Sequence, residues 1–370
     1  MNTYAVYFKP LGALATWPLT SDTLFGAVCW GIRELGLMSD QQLTEWLEMQ
    51  KEAPLFAFSH AFPYYRQAKV YLRLYPRPAT FQPEINDFYT LALEWKKTKS
   101  GMTLKAAQVD TAAAGKKFKR IQYVSEIVFH QIAGGNLRPL AGLKAMLSDS
   151  GQYISKAGAL WTVPEAGSLP ERPEKLYETE AMQHNQIDRM SGGTVESMLF
   201  YRNETFFAPN AGLWALLRAD EKDISQYIRP ALSYLADTGL GADRTSGKGQ
   251  FEISLEAAPA LPVVNKPSGM MTLSHYLPHA GELSSLRKPL AYTLKMLHPK
   301  REQRYTTLPQ ENQKSAPVYK RSIRVFEPGS VFPFVNPKDV FGRLARLTPP
   351  EQEAIYQSGA ALMVYLQVEM

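Results

Sequence analysis

The chain predicts an α+β fold on three observations. Apolar residues alternate near the N-terminus, they recur at helical spacing immediately afterwards, and the same succession of strand and helix returns after residue 194. Tyr4, Val6 and Phe8 alternate with Ala5 and Tyr7, which gives a buried first strand. A helix follows from Ser21 to Leu35, with Ser21 as its N-cap, Leu24, Val28, Ile32 and Leu35 as its apolar stripe and Gly36 at its end. Gly26 and Gly31 within it would each cost about 1 kcal/mol against alanine, so a strand or the sheet itself should pack closely there. Asp22 reads as a capping carboxylate. A short helix from Asp40 to Gln50 precedes a second strand at Pro54–Ser59. Residues 64 to 183 mix proline-rich pieces such as Tyr75-Pro-Arg-Pro78 with a basic tract, and suggest an elaborate insertion rather than core sheet. Strand-like runs return at 195–201 and 204–207, about Arg202-Asn203, and at 213–217. Ile224, Ile228, Leu232 and Leu235 then mark a helix that Pro230 either kinks or begins, and Phe251, Ile253 and Leu255 alternate as a closing strand.

Strand, helix, strand, then strand, helix, strand is the order of a ferredoxin-like domain, the fold that RNA-recognition modules also use. It would occupy residues 1–256, with the insertion at about 65–183. The segment Ala257-Ala258-Pro259-Ala260-Leu261-Pro262 has the composition of an exposed connector. Beyond it, strand-like runs at 271–277, 291–297, 320–326 and 361–368, with helical promise at 349–356, suggest a second, degenerate ferredoxin-like domain over 262–370.

The 370 residues suffice for two such domains, and the single cysteine, Cys29, rules out an intrachain disulfide and a cysteine-based zinc site. A reducing cytoplasm is the expected setting, because the first ten residues alternate like a strand rather than a signal peptide and no apolar run approaches bilayer-spanning length. The net charge of +6 is segregated. From Trp95 to Arg120 eight basic residues face one acid, and from Arg287 to Arg324 ten face two, so the remainder of the chain is acidic. Such segregation points to a polyanion, nucleic acid first.

Residues 238–251 concentrate the most distinctive chemistry. Gly239, Gly241, Gly247 and Gly249 are interleaved with Arg244, Thr245, Ser246 and Lys248. Glycine permits positive φ and close backbone approach, while Arg244 and Lys248 supply charge for a phosphate. The loop follows a helix rather than leading into one, so the helix dipole opposes an anion and binding would fall to loop amides and the two cations. The spacing fails the Walker A pattern, since Gly249 follows Lys248 where a hydroxyl residue should stand. One glycine, Gly239, suffices for the helix C-cap, and the others call for a different explanation, a contacting loop.

Together with this loop, the opening Ser21-Asp22-Thr23-Leu24-Phe25-Gly26-Ala27-Val28-Cys29-Trp30 and the segment His184-Asn185-Gln186-Ile187-Asp188-Arg189 resemble the RAMP superfamily of CRISPR effector proteins. Within it, the likeness is to the five-prime guide-capping subunits of type III-A (Csm) complexes, over residues 1–60 and 180–256 and more weakly at 320–332. The resemblance implies a non-catalytic subunit that grips the repeat-derived 5′ tag of the crRNA. Such a subunit docks on the large polymerase-like subunit and on the guide-backbone RAMP subunit, with target RNA near the tag end of the guide. It also implies a β-hairpin thumb in the first domain, for which the basic insertion ending in Lys116, Lys117, Lys119 and Arg120 is the candidate by position and charge. Under this reading Ser21 and Thr23 would take a phosphate at a helix N-terminus, and His184, Asn185 and Arg189 would contact tag bases or sugars.

Catalysis is expected to be absent, with no cofactor and no metal. Metal-free RNA cleavage calls for a base or acid of suitable pKa, usually histidine. Of the six histidines, His60, His130, His184, His275, His279 and His298, only His184 adjoins a family segment. His275 and His279 are four apart, but Pro278 between them opposes a helical metal-ligand pair, and no G-x-S-x-G elbow occurs. The rival readings are a RAMP-family endoribonuclease that processes precursor crRNA and an RNA-binding ferredoxin-like protein unconnected with CRISPR.

Overall fold

The computed structural model describes residues 1–51, 53–147, 151–169, 175–187, 190–286, 288–299, 321–348 and 354–368. The first part of the chain runs β1 (Asn2–Pro10), α1 (Ser21–Glu34), α2 (Asp40–Met49), β2 (Phe56–Phe58), β3 (Phe62–Gln67), β4 (Val70–Pro76), α3 (Ile85–Thr98), α4 (Leu104–Lys119), β5 (Tyr123–Ser125), α5 (Glu126–Ala133) and α6 (Pro139–Lys144). It continues through β6 (Tyr153–Lys156), β7 (Ala159–Thr162), α7 (Val163–Gly167), β8 (Tyr177–Ile187), β9 (Thr194–Phe207), β10 (Ala211–Ala219), α8 (Glu221–Asp223), α9 (Arg229–Thr238) and β11 (Phe251–Ala257). The last part holds β12 (Gly269–Thr272), α10 (Ala280–Ser285), β13 (Leu294–Leu297), β14 (Ile323–Phe326), β15 (Val331–Pro333), β16 (Leu344–Arg346), β17 (Tyr356–Ser358) and β18 (Met363–Leu366).

One sheet organises the first part, in the order β11-β1-β10-β3-β4-β5-β7-β6, with β2 also on β10. β1 lies between β10 and β11, with Val6 opposite Ala215 and Leu255, and its Ala5, Val6, Tyr7 and Phe8 are buried on both faces. Leu24, Val28 and Ile32 of α1 are buried as the stripe requires, whereas Leu35 is exposed. Gly31 is explained by a helix rather than a strand, because a Cβ there would lie 2.9 Å from Ala231 Cβ of α9. Pro230 begins α9 after a π-helical turn at Ile224–Ile228, where its missing N–H is no loss.

Several expectations are corrected. The N-cap of α1 is Thr20, not Ser21. The excursion is not separate from the core sheet, since β4, β5, β7 and β6 extend it; the open edge of β3 offers unpaired backbone groups that β4 takes up in register. The two runs about Arg202-Asn203 are one continuous strand, β9, paired with β8 in a hairpin. The basic tract proposed as a β-hairpin thumb is helical, in α3 and α4: Ala-rich 104–119 has Thr103 as an N-cap and lysines in its last turn, both favouring a helix. Of the second basic stretch, Arg287 and residues 300–320 lie outside the described residues, as do 349–353 of the expected helix, while 356–358 is strand.

Residues 269–368 contribute a three-stranded sheet, β15-β12-β18, and the pairs β13–β14 and β16–β17. They share one apolar core with the first part, since Met271, Leu273, Val331, Leu344, Leu362, Val364 and Leu366 pack in the same cluster as Val6, Leu24 and Phe58. Backbone contacts cross the seam, with His60 N donating to Leu273 O at 2.8 Å and Ser274 Oγ to Phe58 O at 2.7 Å. No helix among the described residues is long and apolar enough to cross a membrane.

Candidate nucleic-acid interface

The Gly-rich loop is folded on itself. α9 ends where Gly239 turns to φ +83° and donates to Leu235 O, and the chain then reverses through left-handed Asp243 and a 3-10 turn at Arg244–Ser246. Gly249 has φ +70°, and a Cβ there would lie 1.9 Å from Leu240 O; Gly241, at φ +87°, would press on Thr16 Oγ1 at 2.7 Å. The amides of Gly239, Leu240, Ser246, Gly247, Lys248 and Gly249 donate to backbone carbonyls, and that of Ala242 to Thr16 Oγ1. These glycines therefore serve close internal packing, and most of the amides assigned to phosphate are already used, as a tightly turned backbone requires. The loop turns Ala242, Thr245, Ser246 and Gly247 outward, with Arg244 half-buried beside them.

Lys248 departs from its expected role in the same way. Its Nζ pairs with Glu204 of β9, whose side chain is only 3% exposed and whose other oxygen lies 3.0 Å from His184 Nε2 of β8. A buried carboxylate is tolerable only when so satisfied. A second tie joins Arg202 of β9 to Asp243 at the turn of the loop. The His184 ring stacks on Phe200 at 5.5 Å, and the Arg202 guanidinium lies 5.0 Å from the same ring. The loop is thus latched to the β8–β9 hairpin. Asn185 is exposed further along β8, next to an irregularity in register between Asn185 and Ile187, and Arg189 lies outside the described residues.

Among the described residues the hairpin pairs with none of the main-sheet strands. Its base is held by the bridge between Leu14 and Thr205 and by Trp17, whose ring sits 4.4 Å from that of Tyr177. Farther out, Ile187, Leu199, Phe200 and Tyr201 are exposed. Between the hairpin base, the end of β1 and the β3–β4 turn lies a groove of about 720 Å³, lined by Lys9, Gly12, Tyr64, Arg66, Phe206 and Asn210 among others. It adjoins the Gly-rich loop, because Ala13 O accepts from Gly249 N. Sequence reasoning missed this groove: Lys9, Arg66 and Asn210 lie far apart in the chain and belong to no local motif. The one local signal is the Pro209-Asn210 turn, where Asn210 takes φ +63°.

Ser21 and Thr23 are not placed for a phosphate. Ser21 is buried, its amide donating to His60 Nδ1 at 3.2 Å and its Oγ accepting from His275 N at 3.0 Å, while Thr23 Oγ1 meets Thr20 Oγ1. The start of α1 is roofed by the C-terminal part, and Asp22 supplies the negative charge that end favours. Asp22 bonds His275 Nδ1 at 2.8 Å and Gln357 Nε2 at 2.5 Å. Burial works to raise its pKa, but the hydrogen bond and charge of His275 prevail and hold the carboxyl well below the usual range. Burial, with His275 beside it, pushes His60 far below an ordinary imidazole. Lys116, Lys117, Lys119 and Arg120 sit at the end of α4, on the arm of the sheet beyond β5.

Comparison with known proteins gives a consistent likeness. No family model matches the sequence. The CRISPR system Cms protein Csm4 of Mycobacterium tuberculosis (strain CDC 1551 / Oshkosh) is 33% identical over 128 residues, 34% of this chain and 39% of that protein. Csm4 of Thermococcus onnurineus (strain NA1) is 30% identical over 94 residues, 25% and 30% respectively. The matched stretch thus spans less than half the length of either relative. In fold the likeness covers nearly everything. A chain from a Csm3–Csm4 subcomplex of the type III-A CRISPR-Cas interference complex superposes with a TM-score of 0.63 at 15% identity, over 98% of this chain and 99% of that one. A chain from a Csm1–Csm4 cassette in complex with pppApA gives 0.57 at 16% identity, over 99% of both. In local sequence and in fold the chain resembles Csm4.

Proposed function

We propose that the chain is the guide-holding subunit of a type III-A CRISPR effector complex, working in the cytoplasm. It binds and caps the 5′ repeat-derived tag of the crRNA without cutting it. It docks on the large polymerase-like subunit and on the guide-backbone RAMP subunit, the kinds of partner with which its structural neighbours were crystallised, and target RNA passes near the tag end. The observation that carries this is the latch: Glu204 fastens a glycine-built loop to a protruding hairpin beside a groove that mixes cations with aromatic rings. Single-stranded RNA is held by such a combination, cations on the phosphates and rings under the bases at about 1–3 kcal/mol per stacked base. Arg66 and Asn210 supply donors, with Lys9, which also pairs with the exposed Glu252 at 2.6 Å, at the rim; Phe206 supplies an exposed ring, and Thr245 and Ser246 the outward hydroxyls of the loop. The thumb expected of the family is assigned to β8–β9 in place of the helical 95–120.

The βαββαβ unit formed by β1, α1, β2/β3, β10, α9 and β11, with strands in the order β11-β1-β10-β3, is read as ferredoxin-like, and the β15-β12-β18 sheet as the remnant of a second. His184 is assigned to positioning, since Glu204 holds its Nε2 and Phe200 its face. The test compares affinity for an RNA bearing the tag, the same RNA with the tag scrambled, and an uncleaved repeat hairpin, across a salt series. Tag-dependent binding without cleavage is expected, and Lys9→Ala with Arg66→Ala should flatten the salt slope by about 0.7 per lost phosphate contact. Cleavage of the hairpin that disappears in His184→Ala would establish the nuclease instead, and indifference to the tag would point to a general RNA binder.

A further inference from the structure

We propose that the end of α4 and the turn between β6 and β7 form a second binding site, which takes one phosphate-bearing nucleotide. A cavity of about 360 Å³ opens there, with Lys117 and Arg120 on one wall, Ser155 on another and Ile121, Ala145 and Met146 as an apolar floor. Its volume falls within the range of small-molecule sites, and a cationic wall over an apolar floor matches a phosphate joined to a base. No carboxylate lines it among the described residues.

Among the described residues none of Lys116, Lys117, Lys119 and Arg120 forms an ion pair, whereas Lys144 pairs with Glu94 at 2.6 Å and Arg73 with Glu126 at 2.9 Å on neighbouring elements. Cations at the C-terminal end of a helix complement its dipole, but that end carries only about half an elementary charge, and four cationic side chains exceed it. An acidic protein surface would need no such cavity. The turn that closes the far wall is left open to solvent, with nothing within 4 Å of where a Gly158 Cβ would stand.

This cavity is separate from the loop-and-hairpin face. It shares no lining residue with the groove beside the hairpin. The inference therefore stands whether or not that face holds a guide. The nucleotide could belong to an RNA strand or be free in solution, and the chemistry of the site is the same for both.

The test uses the intact chain and a 5′-phosphorylated oligouridylate carrying 4-thiouridine, with ATP, unlabelled oligouridylate and polyglutamate as competitors. Crosslinks should map to the peptides holding Ile121 or Met146 and fall about tenfold in Lys117→Ala with Arg120→Ala. Both residues are exposed, so an unchanged unfolding midpoint shows that the fold is kept. Competition by oligouridylate alone assigns the site to an RNA strand, competition by ATP as well assigns it to a free nucleotide, and either result supports the site. Crosslinks absent from these peptides, equal in the double variant, or displaced by polyglutamate alone would overturn it.

Discussion

Glu204 is the residue on which the interface turns, because it is buried and both of its oxygens are engaged, one by Lys248 of the loop and one by His184 of the hairpin. Removing one partner of such a group leaves a charge in a place water cannot reach. Lys248→Ala is therefore expected to lower stability by about 2 kcal/mol, less than a fully enclosed pair would lose because the lysine is partly exposed. Adding Glu204→Leu should restore much of the loss, and urea midpoints of the single and double variants measure it. Equal midpoints for wild type and Lys248→Ala would show that the pair contributes nothing to stability. The sequence displays Lys248 within a phosphate-like motif but does not display Glu204, which is 44 residues away and meets it only through the fold. That is why a lysine suited to a ligand was instead found holding the protein together.

Among the elements, the helix stripes and the first strand were legible because burial imposes a period of its own on Leu24, Val28 and Ile32 and on Ile224, Ile228, Leu232 and Leu235. Of the β8–β9 hairpin, β9 showed only as two separate runs and β8 did not show. The hairpin stands off the sheet, so no face-alternation marks it, and Arg202-Asn203 in its middle resembles a turn. The α3–α4 pair was hidden for a different reason: its lysines drew attention as charge, while alanines at 106, 107 and 112–114 were the helix signal. The hairpin is held at its base, by the bridge at Leu14, ring packing at Trp17 and the ties of Glu204 and Arg202 to the loop, so its outer part contributes little to the core. Replacing residues 185–199 by a short Gly-Asn turn, which keeps His184 and Phe200 in place, should leave the thermal midpoint within a few degrees of wild type while abolishing tag-dependent RNA binding. Unchanged RNA affinity in that truncated chain would remove the hairpin from the interface.

At the scale of the whole molecule, the seam between the first part and residues 269–368 joins the two through one core, and His60 lies in it. His60 accepts from Ser21 N through Nδ1 and packs against His275 at 4.3 Å, with Asp22 nearby. Its folded pKa is depressed, so below the unfolded value of about 6.5 the unfolded chain binds a proton that the folded one refuses. Stability should be full above pH 6.5 and decline as pH falls below it, by up to about 1.4 kcal/mol per unit. Asp22, depressed as well, adds its own loss only below about pH 4. His60→Asn, which keeps an acceptor for Ser21 N, should flatten the decline between pH 5 and 6.5 in urea titrations, and a profile identical to wild type would contradict this account of the seam. The seam was not visible in the sequence, because Ser21, His60 and His275 come from three distant segments. It also explains why the start of α1, which looks in the sequence like a phosphate-binding end, is closed off. If the groove beside the latched loop and hairpin holds the 5′ end of a guide, as proposed, the tag of the crRNA lies within reach of it. The most direct measurement places a photoreactive nucleotide in the tag of the crRNA, assembles the complete effector particle and maps the crosslinked peptides. Crosslinks within residues 9–12, 64–66, 184–210 or 244–247 are the predicted result; crosslinks confined to other segments, with these left bare, would contradict it.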